Sequence, residues 1–259
     1  MEIVIVPGPE DTGVVVADVI AAAVHGGART LGLATGSSPL TAYAELARRC
    51  AAGQVSFTGM QAFLLDEYVG LPADHPQAYA RFIRDRLVRH VDLDPARVHG
   101  PDGTAPDVLA EALRYDAAIA AAGPIDVQVL GIGVNGHIGF NEPSSSLRSR
   151  TRIKTLTART RQDNARFFGS IDEVPHHVIT QGLGTICEAG HLVLTASGSR
   201  KAAAVAAAVE GPLTASCPAS VLQWHSHATV VVDEAAAAHL RDADFYRYVL
   251  EHKIGDQGY

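Results

Sequence analysis

The sequence predicts an α/β fold: a mostly parallel sheet with helices on both faces and one inserted lid. Three observations carry that expectation. Short β-branched or apolar runs alternate with amphipathic stretches from the first residues onward, which implies right-handed strand–helix–strand crossovers. Apolar residues make up 47% of the 259 positions, enough to fill a sizeable core. Residues 144–184 break the alternation, being polar and basic with short elements of their own. Without internal repeats or a low-complexity linker, residues 1–259 are expected to form a single unit carrying that lid.

In order, residues 3–6 read as a first strand, followed by an Ala/Val-rich amphipathic stretch over 11–25 that Gly26-Gly27 stops. Residues 30–34 form a second strand. Ser38-Pro39 then opens a helix to about residue 52, since Ser caps and Pro suits a first turn. Residues 61–65 are apolar and end in an acidic turn, and helical patterns cover 78–90 and 105–122. Further strands are expected at 125–130, 191–194 and 229–232. Parallel sheets bind ligands at the carboxyl ends of their strands, so the loops just after them should carry the chemistry.

Composition excludes several classes. The apolar runs, such as 125–132 with Asp126 and Gln128 inside it, are too short to span a bilayer. The start, Met1-Glu2-Ile3-Val4, lacks the basic region of a secretory signal, so a cytoplasmic location is expected. Cys50, Cys187 and Cys217 are too few and too scattered for a disulfide framework. A net charge of −7 disfavours nucleic acid and acidic membranes as partners. One segment contradicts that average: residues 148–166 hold seven basic residues against the single acid Asp163.

Three loops carry candidate chemistry. Thr35-Gly36-Ser37-Ser38 lies between a strand and a helix start, where small residues and free backbone N–H groups favour an anion. An ordinary capped turn accounts for this segment alone equally well; Lys201 and Arg166 are the basic residues that tip it toward phosphate. Asp66-Glu67 follows the strand at 61–65. Adjacent residues of an extended chain point to opposite sides, so one carboxylate faces the site, and Asp66 is the expected general base. The third loop, residues 131–143, contains Gly131, Gly133 and Gly136 in the spacing of a dinucleotide fingerprint. That reading requires a following helix and an acid about twenty positions on. Pro143 and a Ser run follow instead, and positions 145–162 hold no acid. The loop does offer His137 and Glu142, a proton-exchanging imidazole and a carboxylate able to orient it.

The strings Asp66-Glu67-Tyr68-Val69-Gly70-Leu71-Pro72 and Gly136-His137-Ile138-Gly139-Phe140-Asn141-Glu142-Pro143 closely resemble those of glucosamine-6-phosphate deaminases. Ser149-Arg150-Thr151-Arg152-Ile153-Lys154-Thr155 and Asn164-Ala165-Arg166-Phe167-Phe168 do so as well, and the likeness runs in order from about residue 30 to 233. The resemblance implies a Rossmann-like sheet with a lid, and conversion of glucosamine 6-phosphate and water to fructose 6-phosphate and ammonia. It implies Asp66 as the base between C2 and C1, and His137 acting on the ring oxygen with Asn135 and Glu142 as partners. Substrate phosphate would lie on Thr35, Gly36, Ser37, Ser38, Arg166 and Lys201. Some relatives have Asp where this chain has Asn135, which can orient His137 without placing a charge beside it. Regulated relatives bind N-acetylglucosamine 6-phosphate between subunits, and Ser145, Arg152, Lys154 and Thr155 stand at the matching places. That implies a homohexamer with this ligand as activator, together with a C-terminal tyrosine, Tyr246 or Tyr248.

No cofactor is expected. A pyridoxal enzyme needs a Schiff-base lysine, and only Lys154, Lys201 and Lys253 exist, two of which suit phosphate. His176-His177 and His225-Ser226-His227 lack adjacent acidic or thiol partners, so no metal is expected either. A 6-phosphogluconolactonase is the nearest rival, opposed by the Asp66-Glu67-Tyr68 turn and the residues after His137. A catalytically silent sugar-phosphate sensor would keep the phosphate loop and lose the base; Asp66, His137 and Glu142 are all present.

Overall fold

The computed structural model describes residues 1–254 and 258–259. β1 (Glu2–Val6) leads to α1 (Pro9–His25), β2 (Thr30–Leu33) to α2 (Leu40–Ala51), and β3 (Gln61–Leu64) to β4 (Asp66–Tyr68) and α3 (Tyr79–Arg86). β5 (Val98–His99), α4 (Val108–Ala122), β6 (Val127–Leu130), β7 (Arg152–Thr155), α5 (Ala158–Asn164), β8 (His177–Thr180) and α6 (Leu183–Ile186) follow. The chain closes with β9 (His191–Ala196), α7 (Ala202–Val209), β10 (Ala228–Asp233), α8 (Glu234–Ala237) and α9 (Ala243–Glu251).

Among the described residues, seven strands form one parallel sheet in the order β1-β10-β9-β6-β2-β3-β5. Strands β2, β6, β9 and β10 are buried at every residue, so they show no alternation of apolar and polar faces, and even their polar members Thr30, Gln128, His191, Thr195, Thr229 and Asp233 are buried. Burial of each valine of Val230, Val231 and Val232 in β10 stabilises the sheet by about 1.5–3 kcal/mol. From β2 the chain steps outward to β3 and β5, then returns to lay β6 on the opposite side of β2. The loops after β2 and β6 therefore diverge at the switch point of the sheet, where a crevice opens.

The turn expected after β3 is a strand. β4 pairs antiparallel with β8, and β8 with β7, in a three-stranded sheet order β4-β8-β7. Leu65 is the junction: its N–H donates to Leu33 O of the large sheet at 2.9 Å, and its carbonyl accepts from Gln181 N beside the small one at 2.9 Å. Residues 144–184 thus supply two strands of the second sheet together with α5. The helix expected over 78–90 ends at Arg86, and Val88–His90 is a separate 3-10 turn. The one expected from 105 begins at Val108, where Asp107 accepts from Leu109 N and Ala110 N, both at 3.0 Å. No helix among the described residues is long and apolar enough to cross a membrane.

Candidate active site

A cavity of about 400 Å³ opens at the switch point. Its walls come from the loops after β2 (35–38), after β6 (131–134) and after β9 (Arg200, Lys201), with Leu65 and Tyr68 at the sheet junction. Arg159, Thr160, Asp163, Asn164 and Arg166 of the inserted segment cover it. The Ser38 cap expected here does not form: α2 begins at Leu40 with Pro39 as its N-cap, no side chain among the described residues caps it, and its first N–H groups remain available toward the 35–38 loop.

The glycines that imitate a dinucleotide fingerprint serve His137 instead. A Cβ at Gly133 would lie 2.2 Å from the His137 ring, and Gly136 has a φ of 83°. His137 lines the cavity, and its Nδ1 lies 2.6 Å from Asn135 Oδ1. Asn135 Nδ2 in turn donates to Glu142 Oε2 at 2.7 Å. Burial alone would raise the Glu142 carboxyl, but the His137 ring 3.6 Å away and hydrogen bonds from Thr160 and Asn135 bring it down to about 2. Each donor role then follows. An ionised Glu142 only accepts, so Asn135 turns its amide NH₂ there and its oxygen to His137. That oxygen requires a proton on Nδ1, which leaves Nε2 as the nitrogen free to exchange a proton with a ligand.

Asp66 and Glu67 divide as adjacent strand residues should. Glu67 accepts from Tyr68 N, Tyr79 N and Ala80 N at 2.8–3.0 Å and so caps α3, whose Ala78 N-cap has no side chain to do it. Asp66 is 4% exposed, and its Oδ1 receives no hydrogen bond among the described residues. Burial, with the Glu67 charge adding to it, holds the Asp66 carboxyl well above the usual carboxylate range. Asp66, Asn135 and Glu142 are not on the cavity wall itself; Asp66 directly follows the wall residue Leu65, and the other two are chained to His137.

Part of the cavity wall is cationic. Lys201 Nζ donates to Ile132 O at 2.6 Å, and burial, then Arg200 and Arg166, lower its proton affinity. Asp233, at the end of β10, accepts from Gly198 N at 2.9 Å and Ala236 N at 2.7 Å, holding the turn that presents Arg200 and Lys201. Arg166, Arg200 and Lys201 thus converge with the 35–38 loop around one volume, an arrangement that favours a dianionic phosphate. Sequence reasoning missed Arg200, whose signal was its place beside Lys201. It also missed the aromatic flank of Tyr68, Tyr79 and Phe140, with ring centroids 4.8–6.1 Å apart.

Other singled-out residues lie elsewhere. Arg152, Lys154 and Thr155 are on β7, the edge of the small sheet, and Ser145 is buried with an unpartnered hydroxyl. Tyr246 donates to Glu210 Oε1 at 3.3 Å, while exposed Tyr248 stacks on His252 with centroids 3.9 Å apart. No metal-binding group of three or more His, Cys, Asp or Glu side chains occurs among the described residues.

Residues 11–232 match the family model of glucosamine-6-phosphate isomerases/6-phosphogluconolactonase. A glucosamine-6-phosphate deaminase of Rhodococcus opacus strain B4 is 62% identical over 259 residues, all of both chains. A solved structure described as a monomeric glucosamine-6-phosphate deaminase superposes with a TM-score of 0.90 at 40% identity, over 92% of this chain and 100% of that one. A 6-phosphogluconolactonase from Trypanosoma cruzi shares the fold, with a TM-score of 0.76 at 18% identity over 93% and 97% of the two chains. On its sequence, sheet order and site loops, the chain belongs to the family of glucosamine-6-phosphate isomerases and 6-phosphogluconolactonases.

Proposed function

We propose that the protein is a glucosamine-6-phosphate deaminase that opens the sugar ring, moves a proton from C2 to C1 and hydrolyses the C–N bond. The observation that carries this reading is one cavity lined by Arg166, Arg200 and Lys201 and by His137, which is chained to Asn135 and Glu142, with buried Asp66 directly after the wall residue Leu65. Phosphate binds the 35–38 loop, Arg166, Arg200 and Lys201. His137 Nε2 carries the proton of ring opening, its tautomer set by Asn135 and Glu142. The open aldehyde acidifies the C2 proton, which Asp66 takes and returns to C1. The C2 ammonium of the substrate brings a positive charge toward Asp66 and draws its raised proton affinity down toward that of a working base. Water adds to the resulting C2 imine, and the carbinolamine expels ammonia, leaving fructose 6-phosphate. A single unit with 144–184 as its lid and a cytoplasmic location belong to the same reading.

Ammonia release from glucosamine 6-phosphate tests it. The native protein is expected to release ammonia, and Asp66→Asn to lose on the order of 10²–10⁴-fold in kcat. Hydrolysis of 6-phosphogluconolactone with no ammonia from the amino sugar would favour the lactonase reading, and binding of glucosamine 6-phosphate without turnover would favour the silent sensor.

The activator reading rests on Arg152 and Lys154, which share one face of β7 and have no carboxylate partner among the described residues. With Ser145 and Thr155 they are proposed to take N-acetylglucosamine 6-phosphate between subunits of a homohexamer. The 40% identical relative described as monomeric argues against that assembly. A kinetic titration decides: activation should fall at least about tenfold in affinity in Arg152→Ala, as expected for loss of a charge-assisted phosphate contact. No response in the native protein ends this proposal and leaves catalysis untouched.

A further inference from the structure

Helix α5 meets the acid–base groups along one face. Thr160 and Asn164, four residues apart, reach different parts of the site. Asn164 Nδ2 donates to Tyr68 Oη at 2.9 Å, on the strand that carries Asp66. Thr160 Oγ1 donates to Glu142 Oε1. Thr160 is 6% exposed, and its hydroxyl accepts from Thr157 Oγ1 at 2.9 Å. Thr157 is also the N-cap of α5, accepting from Thr160 N at 3.1 Å. The residues that start the helix are therefore the ones that hold the carboxylate.

We propose that Thr160 is a positioning residue: its hydroxyl holds Glu142 so that Asn135 fixes the His137 tautomer, and the chain is complete only when α5 is seated on the site. The two Glu142 oxygens are divided between two supports. Oε2 takes Asn135, and Oε1 takes Thr160, with Thr157 Oγ1 farther off at 3.5 Å. Without the Thr160 hydroxyl, the desolvation that raises Glu142 loses its main counterweight on that oxygen. A protonated Glu142 could donate to Asn135, the amide would reverse, and the proton on His137 would move from Nδ1 to Nε2. His137 is the titratable group facing Glu142; Arg159 and Asp163 of α5, and Arg166, Arg200 and Lys201, face the same cavity, with Asp66 behind it.

This inference rests on the reading of His137 as the ring-opening group, so its test has one arm that needs no turnover. In the free protein, the Glu142 carboxyl is titrated by ¹³C NMR, its resonance assigned by comparison with Glu142→Gln. Thr160→Val should raise the midpoint by about one unit, a tenfold change in the ionisation constant, while Thr160→Ser leaves it in place. Thr160→Ala serves if the valine variant does not fold. In the ammonia assay, Thr160→Val should lower kcat at least about tenfold, move the acid limb of the kcat profile upward and leave KM within about twofold, with Thr160→Ser restoring all three. An unmoved Glu142 midpoint overturns the proposal whether or not the protein releases ammonia. A loss confined to KM also overturns it, making Thr160 a substrate contact. Absence of ammonia release from the native protein removes the deaminase reading, and the carboxyl titration still decides the role of Thr160.

Discussion

Asp66, the proposed base, shows what burial demands of a carboxyl. Burial raises its proton affinity, so the folded state favours the neutral acid over the carboxylate. The sign follows: its contribution to stability is fully present below the unfolded value of about 3.9 and is lost as pH rises through the raised folded value. At neutral pH the ionised form therefore opposes folding, and Asp66→Asn should raise the melting temperature at pH 7 while ammonia release falls by the factor given above. A calorimetric scan at pH 7 with no gain, or a loss, would show that Asp66 ionises without penalty. This residue was legible in the sequence because it ends an apolar run beside a second acid. Thr160 was not. Its meaning depends on a fold that returns eighteen positions after Glu142, and no local pattern marks that contact.

At the scale of elements, Glu67 does for α3 what its own N-terminus cannot. Three backbone N–H groups converge on its carboxylate. Glu67→Ala leaves them without that acceptor in a buried setting, at a cost of about 1–3 kcal/mol. The expected outcome is a lower urea midpoint with an unchanged slope, and a smaller activity loss than Asp66→Asn, because α3 carries Tyr79 but no proton-transfer group. An unchanged midpoint would mean that water replaces the carboxylate at no cost. The long periodic helices and fully buried strands were readable because their patterns repeat. Strands β4 and β5 were not: three and two residues show no period, and β4 owes its existence to β8, which lies more than a hundred positions away.

For the molecule as a whole, acid sensitivity should begin at the end of the sheet opposite the cavity. His191 starts β9, is 7% exposed, and stacks on His227 with centroids 3.6 Å apart. Burial, then His227 and His225, push its pKa down to about 4. A histidine so depressed stabilises the fold above its unfolded value of about 6.5, and that stability drains as pH falls toward 4. Glu142, at about 2 when folded, joins only below its unfolded range. Melting temperature should therefore fall between pH 6.5 and 4, and His191→Gln should flatten that slope; an equally steep slope in the variant would assign the loss to other groups. The sheet and its switch point were legible from the alternation of elements, whereas the pairing of 144–184 with β4 was not, since antiparallel partners leave no mark in either segment alone. That pairing means that Asp66 belongs to the small sheet, while the 35–38 loop and His137 follow strands of the large one. In the proposed deaminase the two sheets would work as the jaws of a calliper joined at Leu65, gauging a sugar phosphate by its length from phosphorus to C2 before any proton moves.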